Sequence, residues 1–375
     1  MIFGIIMTLV IPQPTGSFGI GKSIHTIVDV SRNEKHGVGK RELLIYIYYP
    51  TNKHSFSTYA PDIMPFLKES LQQSLEVNNE RLNYLDSLKE HTAIHAPLLD
   101  EQNKFPVLFF CPGLGDPIET YTTLLEEMAS QGYVVIAINH TYGVDPTVFP
   151  NGKIVRMNTE LARFWYATQR SFEDIVDEEH EWWLQDANFV IDTFKNICPD
   201  DSYCFLMGQL DYDSMGFFGH SFGGSLALQI CRDRTDIQAC VDLDGIVFGP
   251  KSKRSEIVNV PCMFIMADKE VSDQELEKHN IARAKYDQLV VPRHPKLLYS
   301  LLKKDSYFVT VKNSDHNSFS DLNLLKHPIT RDNNPEEIIA TTRILLTQFF
   351  NHYLRNESFN TEFIKTLKNV VLERK

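Results

Sequence analysis

The sequence predicts an α/β protein, with a mostly parallel central sheet and helices packed on both of its faces. Three observations carry that expectation. Short apolar runs rich in β-branched and aromatic residues alternate with stretches of helical periodicity, the order of strand–helix–strand units. Several runs, such as VLFF at 107–110 and YVVIAI at 133–138, are continuously apolar, which suits strands buried on both faces. Apolar residues make up 43% of the 375-residue chain, enough for a large core, and a chain of this length buries roughly three quarters of its unfolded surface. No internal repeat or Pro/Gly/Ser-rich linker divides the chain, so a single domain over residues 1–375 is expected.

The candidate strands are Ile24–Val30, Leu43–Tyr49, Val107–Cys111, Tyr133–Asn139, Met215–Phe218, Ala239–Leu243, Cys262–Ala267 and Tyr307–Lys312. Between them, Glu119–Gln131 places Tyr121, Leu124, Leu125 and Met128 on one helical face, with Gly132 as its C-cap. A long final helix starts after Asn334, with Pro335 in its first position and Glu336 and Glu337 in its first turn, where acidic residues suit the helix dipole. Two segments break the alternation. Residues 54–103 are polar with helical periodicity, and residues 141–186 are rich in aromatics (Tyr142, Phe149, Phe164, Trp165, Tyr166, Phe172, Trp182, Trp183). Both are expected to be insertions that could form a lid or cap, although most of the aromatics are expected to be core.

Charge and cysteine usage exclude several function classes. Lys and Arg number 37 against 49 Asp and Glu, a net charge of −12 without any long basic run, so nucleic acid is not an expected partner. Cys111, Cys231, Cys240 and Cys262 lie in apolar stretches and read as buried free thiols, whereas a Cys198–Cys204 disulfide stays open. No CxxC pair or zinc-ligand spacing occurs, and no metal is expected. The N-terminal run MIFGIIMTLVIP is too short to span a bilayer, which takes about 20 helical residues, and lacks the basic flank of a secretory signal. It is expected to be disordered or a strand-like arm, which leaves the compartment undetermined with a cytoplasmic location favoured.

The chemistry concentrates in one motif. Gly219-His220-Ser221-Phe222-Gly223 fits G-x-S-x-G, with an apolar strand directly before it and a helical run after it. That order places Ser221 on a strained strand-to-helix turn, where flanking side chains would collide with backbone and the helix N-terminus favours developing negative charge. The alternative, a glycine-rich turn with a structural serine, lacks a reason for this context. The motif predicts the α/β-hydrolase fold, a mostly parallel sheet with helices on both faces and helical insertions. It also predicts an oxyanion hole of two backbone amides: that of Phe222, and that of Leu114 in the strand–loop–helix stretch VLFFCPGLGD. A dinucleotide-binding reading of this loop fails because position 118 is Ile.

The fold expects an acid and then a histidine after the nucleophile. Among His279, His294, His316, His327 and His352, only His316 follows a strand directly, in the polar loop 313–318. Asp244 and Asp268 each end a strand and either could orient the imidazole; Asp242 is the weaker option. Spacing alone does not choose between the first two.

These residues carry a resemblance. PTGSFGIG at 14–21, YYP at 48–50, PGLG at 112–115, GHSFGG at 219–224, LDG at 243–245 and DHNSFSD at 315–321 are similar to the motifs of the plasma-type (isoform II) platelet-activating-factor acetylhydrolases, over about residues 12 to 355. The resemblance implies Ser221 as nucleophile, Asp244 over Asp268 as acid, His316 as base, and Leu114 and Phe222 as the oxyanion amides. It implies no cofactor, and a small or lipid ester as substrate, such as the sn-2 ester of a phospholipid met in transient contact with a membrane surface. The chain departs from the family pattern at Pro112, where members often have His, and in 54–103 and 245–306, departures that bear on substrate more than on chemistry. A generic carboxylesterase, lipase or polyester hydrolase fits the same residues. A non-catalytic binding module would require a missing triad member.

Overall fold

The apolar runs become strands of one ten-stranded sheet. The computed structural model describes residues 9–73, 79–100, 104–158, 161, 172–249, 256–278, 281–302, 305–326 and 334–375. The strands are β1 (Gly19–Asn33), β2 (Lys40–Thr51), β3 (Thr92–Ile94), β4 (Phe105–Cys111), β5 (Val134–Asn139), β6 (Leu210–His220), β7 (Ala239–Leu243), β8 (Cys262–Ala267), β9 (Ser306–Val311) and β10 (Val370–Arg374). Their spatial order is β10-β9-β8-β7-β6-β4-β5-β2-β1-β3. The six strands from β9 to β5 are parallel, β2 runs antiparallel to both its neighbours, and β10 antiparallel to β9. This is the α/β-hydrolase architecture the motif implied.

The continuous apolar character of the central strands has its expected cause, because each face of the sheet is covered. Val107, Phe109 and Cys111 of β4 face α3 (Phe172–Lys195) and α4 (Phe222–Asp233), among Trp183, Ile191, Leu226 and Ala227. Leu108 and Phe110 point the other way, into α2 (Thr122–Ser130) and α5 (Pro335–Arg355), among Leu125, Met128, Leu346 and Phe350. Gly132 closes the α2 turn at φ +93°, as its C-cap position requires. Asn334 caps α5 by accepting the Glu337 amide at 3.2 Å, with Pro335 in the first turn.

Several elements differ from the sequence expectation; β1 runs Gly19–Asn33 where the sequence predicts Ile24–Val30. β6 starts earlier, because Leu210 and Asp211 pair with Phe105 and Pro106 before a register shift that carries the polar residues ahead of Met215. β10 pairs with β9, and its apolar run Val370–Leu372 is too short to be read as a strand. Segment 54–103 is only partly helical. Its helix α1 (Met64–Gln73) buries Met64, Leu67 and Leu71 against Ile11, Leu85, Leu88 and Leu325, but Ser57–Thr58 pairs with Lys89–Glu90 and β3 extends the sheet beside β1.

In segment 141–186, Phe149 and Trp183 are core residues on opposite faces of the sheet; Phe164, Trp165 and Tyr166 lie outside the described residues. Residues 1–8 of the N-terminal run also lie outside them. The following stretch is tied down where Thr15 donates to Glu127 and the Arg343 guanidinium spans Glu127 and the Gln13 carbonyl. All six cysteines are free: the four expected to be buried are buried, and Cys198 and Cys204 are exposed and unbonded, so the disulfide left open by the sequence is not formed. Among the described residues, no helix is long and apolar enough to cross a membrane.

Candidate active site

β6 carries the chain to Ser221, which takes φ 55° and ψ −114° as the N-cap of α4. A non-glycine residue with positive φ is strained and persists only where its surroundings hold it. Here they do: the Ser221 amide donates to the Leu243 carbonyl at 2.8 Å. A Cβ on Gly219 would sit 2.3 Å from the Gly223 carbonyl oxygen, and one on Gly223 would sit 2.2 Å from that of Cys111. The glycines of the motif are therefore required by backbone contacts that cannot yield.

His316 follows β9 through a turn in which Asn313 has φ 62°. Asp315 and Ser318 form a capping box that fixes the short 3₁₀ turn His316–Phe319. The imidazole Nε2 lies 2.9 Å from Ser221 Oγ. Its Nδ1 lies 2.7 Å from Asp244 Oδ2. The second oxygen of Asp244 accepts the Ala267 amide at 2.8 Å, so the carboxylate is held from two sides. The structure thus brings together Ser221, His316 and Asp244. Asp268, the residue after β8, is exposed and has no contact with a histidine among the described residues. Asp242 is fully buried and accepts the Gly245 amide at 2.8 Å; burial pushes its carboxyl well above the usual carboxylate range.

Burial opposes a charged His316, but the hydrogen bond and charge of Asp244 outweigh it and hold the imidazole above its ordinary value. The same pairing holds Asp244 below the carboxylate range, again against burial. His316 keeps 44% of its side chain exposed, so solvent screens the pair on one side and a ligand can reach it. Of the other histidines, His294 accepts the Lys296 amide at 3.1 Å, His352 pairs with the Glu357 carbonyl at 2.6 Å, and His279 and His327 lie outside the described residues.

The loop 112–115 lies against the first turn of α4, where the Gly223 amide donates to the Pro112 carbonyl at 3.1 Å. Its neighbours are spoken for: Gly115 donates to the Gly143 carbonyl and Asp116 to that of Gly113. Among the described residues, the amides of Leu114 and Phe222 have no hydrogen-bond partner, which leaves both donors available. The same residues contain no cluster of three His, Cys, Asp or Glu side chains able to hold a metal ion.

Four polar residues beside the site, His220, Tyr121 and Asp321 buried and Asp116 partly so, have contacts that spacing could not read. His220 contacts Tyr121 and His316, Tyr121 contacts Asp116, and Asp321 accepts from the Thr123 hydroxyl and amide and from Tyr59. Only the place of His220 inside the pentapeptide hinted at a role.

The comparisons agree with this architecture. A solved ferulic acid esterase from Streptomyces cinnamoneus superposes with a TM-score of 0.68 over 98% of this chain and 100% of its own, at 21% identity, which establishes the shared fold. An Arthroderma benhamiae protein named "Probable 1-alkyl-2-acetylglycerophosphocholine esterase" is 22% identical over 259 residues, covering 64% of this chain; the chain spans 60% of that relative. The platelet-activating factor acetylhydrolase of Cavia porcellus is 22% identical over 344 residues, covering 83% of this chain and 69% of its own length. The family model for platelet-activating factor acetylhydrolase, isoform II, matches residues 4–145 and 183–332 and leaves out most of the aromatic-rich segment. The chain therefore belongs to the platelet-activating factor acetylhydrolase, isoform II, family.

Proposed function

We propose that this chain is a serine hydrolase that cleaves carboxylic esters through an acyl-enzyme. One observation carries the reading: the continuous chain from Ser221 Oγ through His316 to Asp244, at 2.9 and 2.7 Å. Ser221 attacks the ester carbonyl as its proton passes to His316 Nε2, and Asp244 holds Nδ1–H and steadies the imidazolium. The amides of Leu114 and Phe222 receive the oxyanion, each donor worth about 3 kcal/mol. Collapse expels the alcohol, which takes the proton from His316. Water, deprotonated by the same imidazole, then releases the acid. The triad histidine must be neutral to begin, so activity falls as pH drops through the raised value of His316.

The proposed substrates are short-acyl esters of the 1-alkyl-2-acetylglycerophosphocholine type, which the names of the fungal and mammalian relatives support. A phospholipid of this kind would be met in transient contact with a membrane surface. Residues 54–103 and 141–186 are proposed as insertions of a single domain, the second bordering the substrate path at Met157, whose Sδ lies 3.7 Å from where a Cβ of Gly115 would stand.

The decisive experiment compares wild type with Ser221→Ala on p-nitrophenyl acetate, on longer acyl esters and on 1-alkyl-2-acetylglycerophosphocholine. The variant is expected to lose about 10³-fold or more in kcat with unchanged unfolding, and a fluorophosphonate is expected to label only the wild type. Turnover that survives the substitution refutes the nucleophile. Preference for long acyl chains would move the substrate class to that of a lipase.

A further inference from the structure

A second histidine stands beside the base and takes no part in the proton transfer proposed above. His220 is buried, and its ring centroid lies 4.7 Å from that of His316. Its Nε2 lies 2.8 Å from the backbone carbonyl oxygen of His316. A carbonyl only accepts, so Nε2 carries the hydrogen. Burial, and secondarily the charge of His316, push this imidazole down to about 3, so the ring is neutral and Nδ1 is an acceptor.

The partner of Nδ1 is the Tyr121 hydroxyl at 2.7 Å. Tyr121 has one hydroxyl proton to share between His220 and a carboxylate oxygen, and two neighbours besides His220. One is the Gly113 amide at 3.1 Å. The other is Asp116 Oδ2 at 3.0 Å, to which the hydroxyl donates. The contacts run without a break from the Gly113 amide through Tyr121 and His220 to the backbone of His316. A Cβ on Gly113 would stand 2.6 Å from Asp116 Oδ2 and 3.2 Å from His220 Nδ1, so the loop packs closely over this chain.

We propose that His220 and Tyr121 form a positioning relay that locks the backbone of the base His316 to Gly113, the residue before the oxyanion donor Leu114, so that base and oxyanion loop keep one geometry. The inference rests on the acyl-transfer reading. The relay also explains why an imidazole adjacent in sequence to the nucleophile does not compete as base: its one lone pair, on Nδ1, faces the Tyr121 hydroxyl.

Three variants test it: Tyr121→Phe, His220→Leu and His220→Gln, each assayed on p-nitrophenyl acetate after counting active sites by stoichiometric fluorophosphonate labelling. Tyr121→Phe and His220→Leu are expected to lose 10- to 100-fold in kcat per labelled site, on the order of what an ångström of misplacement costs, with KM within about twofold. The acid limb of their pH profiles is expected to move down toward the ordinary imidazole value as the His316–Asp244 contact slackens. Glutamine can both donate to the His316 carbonyl and accept from Tyr121, so His220→Gln is expected to recover most of the loss. Unchanged kcat per labelled site in Tyr121→Phe and His220→Leu would overturn the relay. So would a loss fully explained by fewer labelled sites, or one that glutamine does not relieve. Failure of the acyl-transfer reading shows separately, as wild type that does not label or Ser221→Ala that still turns over.

Discussion

Asp244 and Asp268 each follow a parallel strand, five and six residues after its apolar start, and nothing in their local sequence separates them. What separates them is the space between β7 and β8, where the Ala267 amide reaches back to one Asp244 oxygen and leaves the other for His316. Asp244→Asn is therefore expected to cut kcat by about 10⁴-fold, the scale on which an imidazole in the wrong tautomer fails. It should also move the acid limb of kcat/KM to lower pH, because the contacts that hold His316 high are removed. Asp268→Asn, at an exposed position, should leave both unchanged; steady-state kinetics across pH on the two variants checks this. Ser221 and His316 were legible because their signals are local: a pentapeptide with its strand and helix, and a histidine just past a strand. The contact of Tyr121 with His220 joins positions 99 apart, and no periodicity connects them.

The loop after β9 gains its order from elements far from it in sequence. Asp321 ends that loop, its amide donating to the Thr120 carbonyl at 2.6 Å and its carboxyl accepting from Thr123 and Tyr59. Burial raises this carboxyl from 3.8 to about 7. The folded state thus holds a proton between those values that the unfolded chain has released, so stability falls as pH rises through the interval, by on the order of 4 kcal/mol if fully expressed. Asp321→Asn should flatten that slope; urea unfolding of both proteins at pH 4.5 and 7.5 gives the difference. Strands β7 and β8 carry the bounds their apolar runs predicted, since they are buried on both faces and every residue reports it. The start of β6 was hidden by polar residues at its register shift, and β10 by the brevity of its apolar run ahead of Glu373 and Arg374.

Segment 54–103 reads as a polar excursion, yet the molecule uses one of its charges deep inside. Lys22 of β1 meets both oxygens of Glu90 at 2.9 Å, with 3% and 1% of the two side chains exposed. The ammonium also lies 5.3 Å from the centre of the Tyr48 ring. Pattern reading assigns such charges to solvent, and only the folded chain shows the pair. Removing one member leaves a buried charge without its counterpart, so Glu90→Gln is expected to cost about 3–5 kcal/mol, while Lys22→Met combined with Glu90→Leu should restore most of it. Chemical denaturation of the three proteins decides.

The pairing of β10 with β9 has a consequence for the protein's life in concentrated solution. β9 reads SYFVTV, a six-residue stretch of high β propensity without charge or proline, the composition that stacks into fibrils when left open. It would be the rim of the sheet were it not for five residues that bring Glu373 and Arg374 to the boundary. A protease that clipped there would uncover a template for self-assembly on the strand leading into the His316 loop.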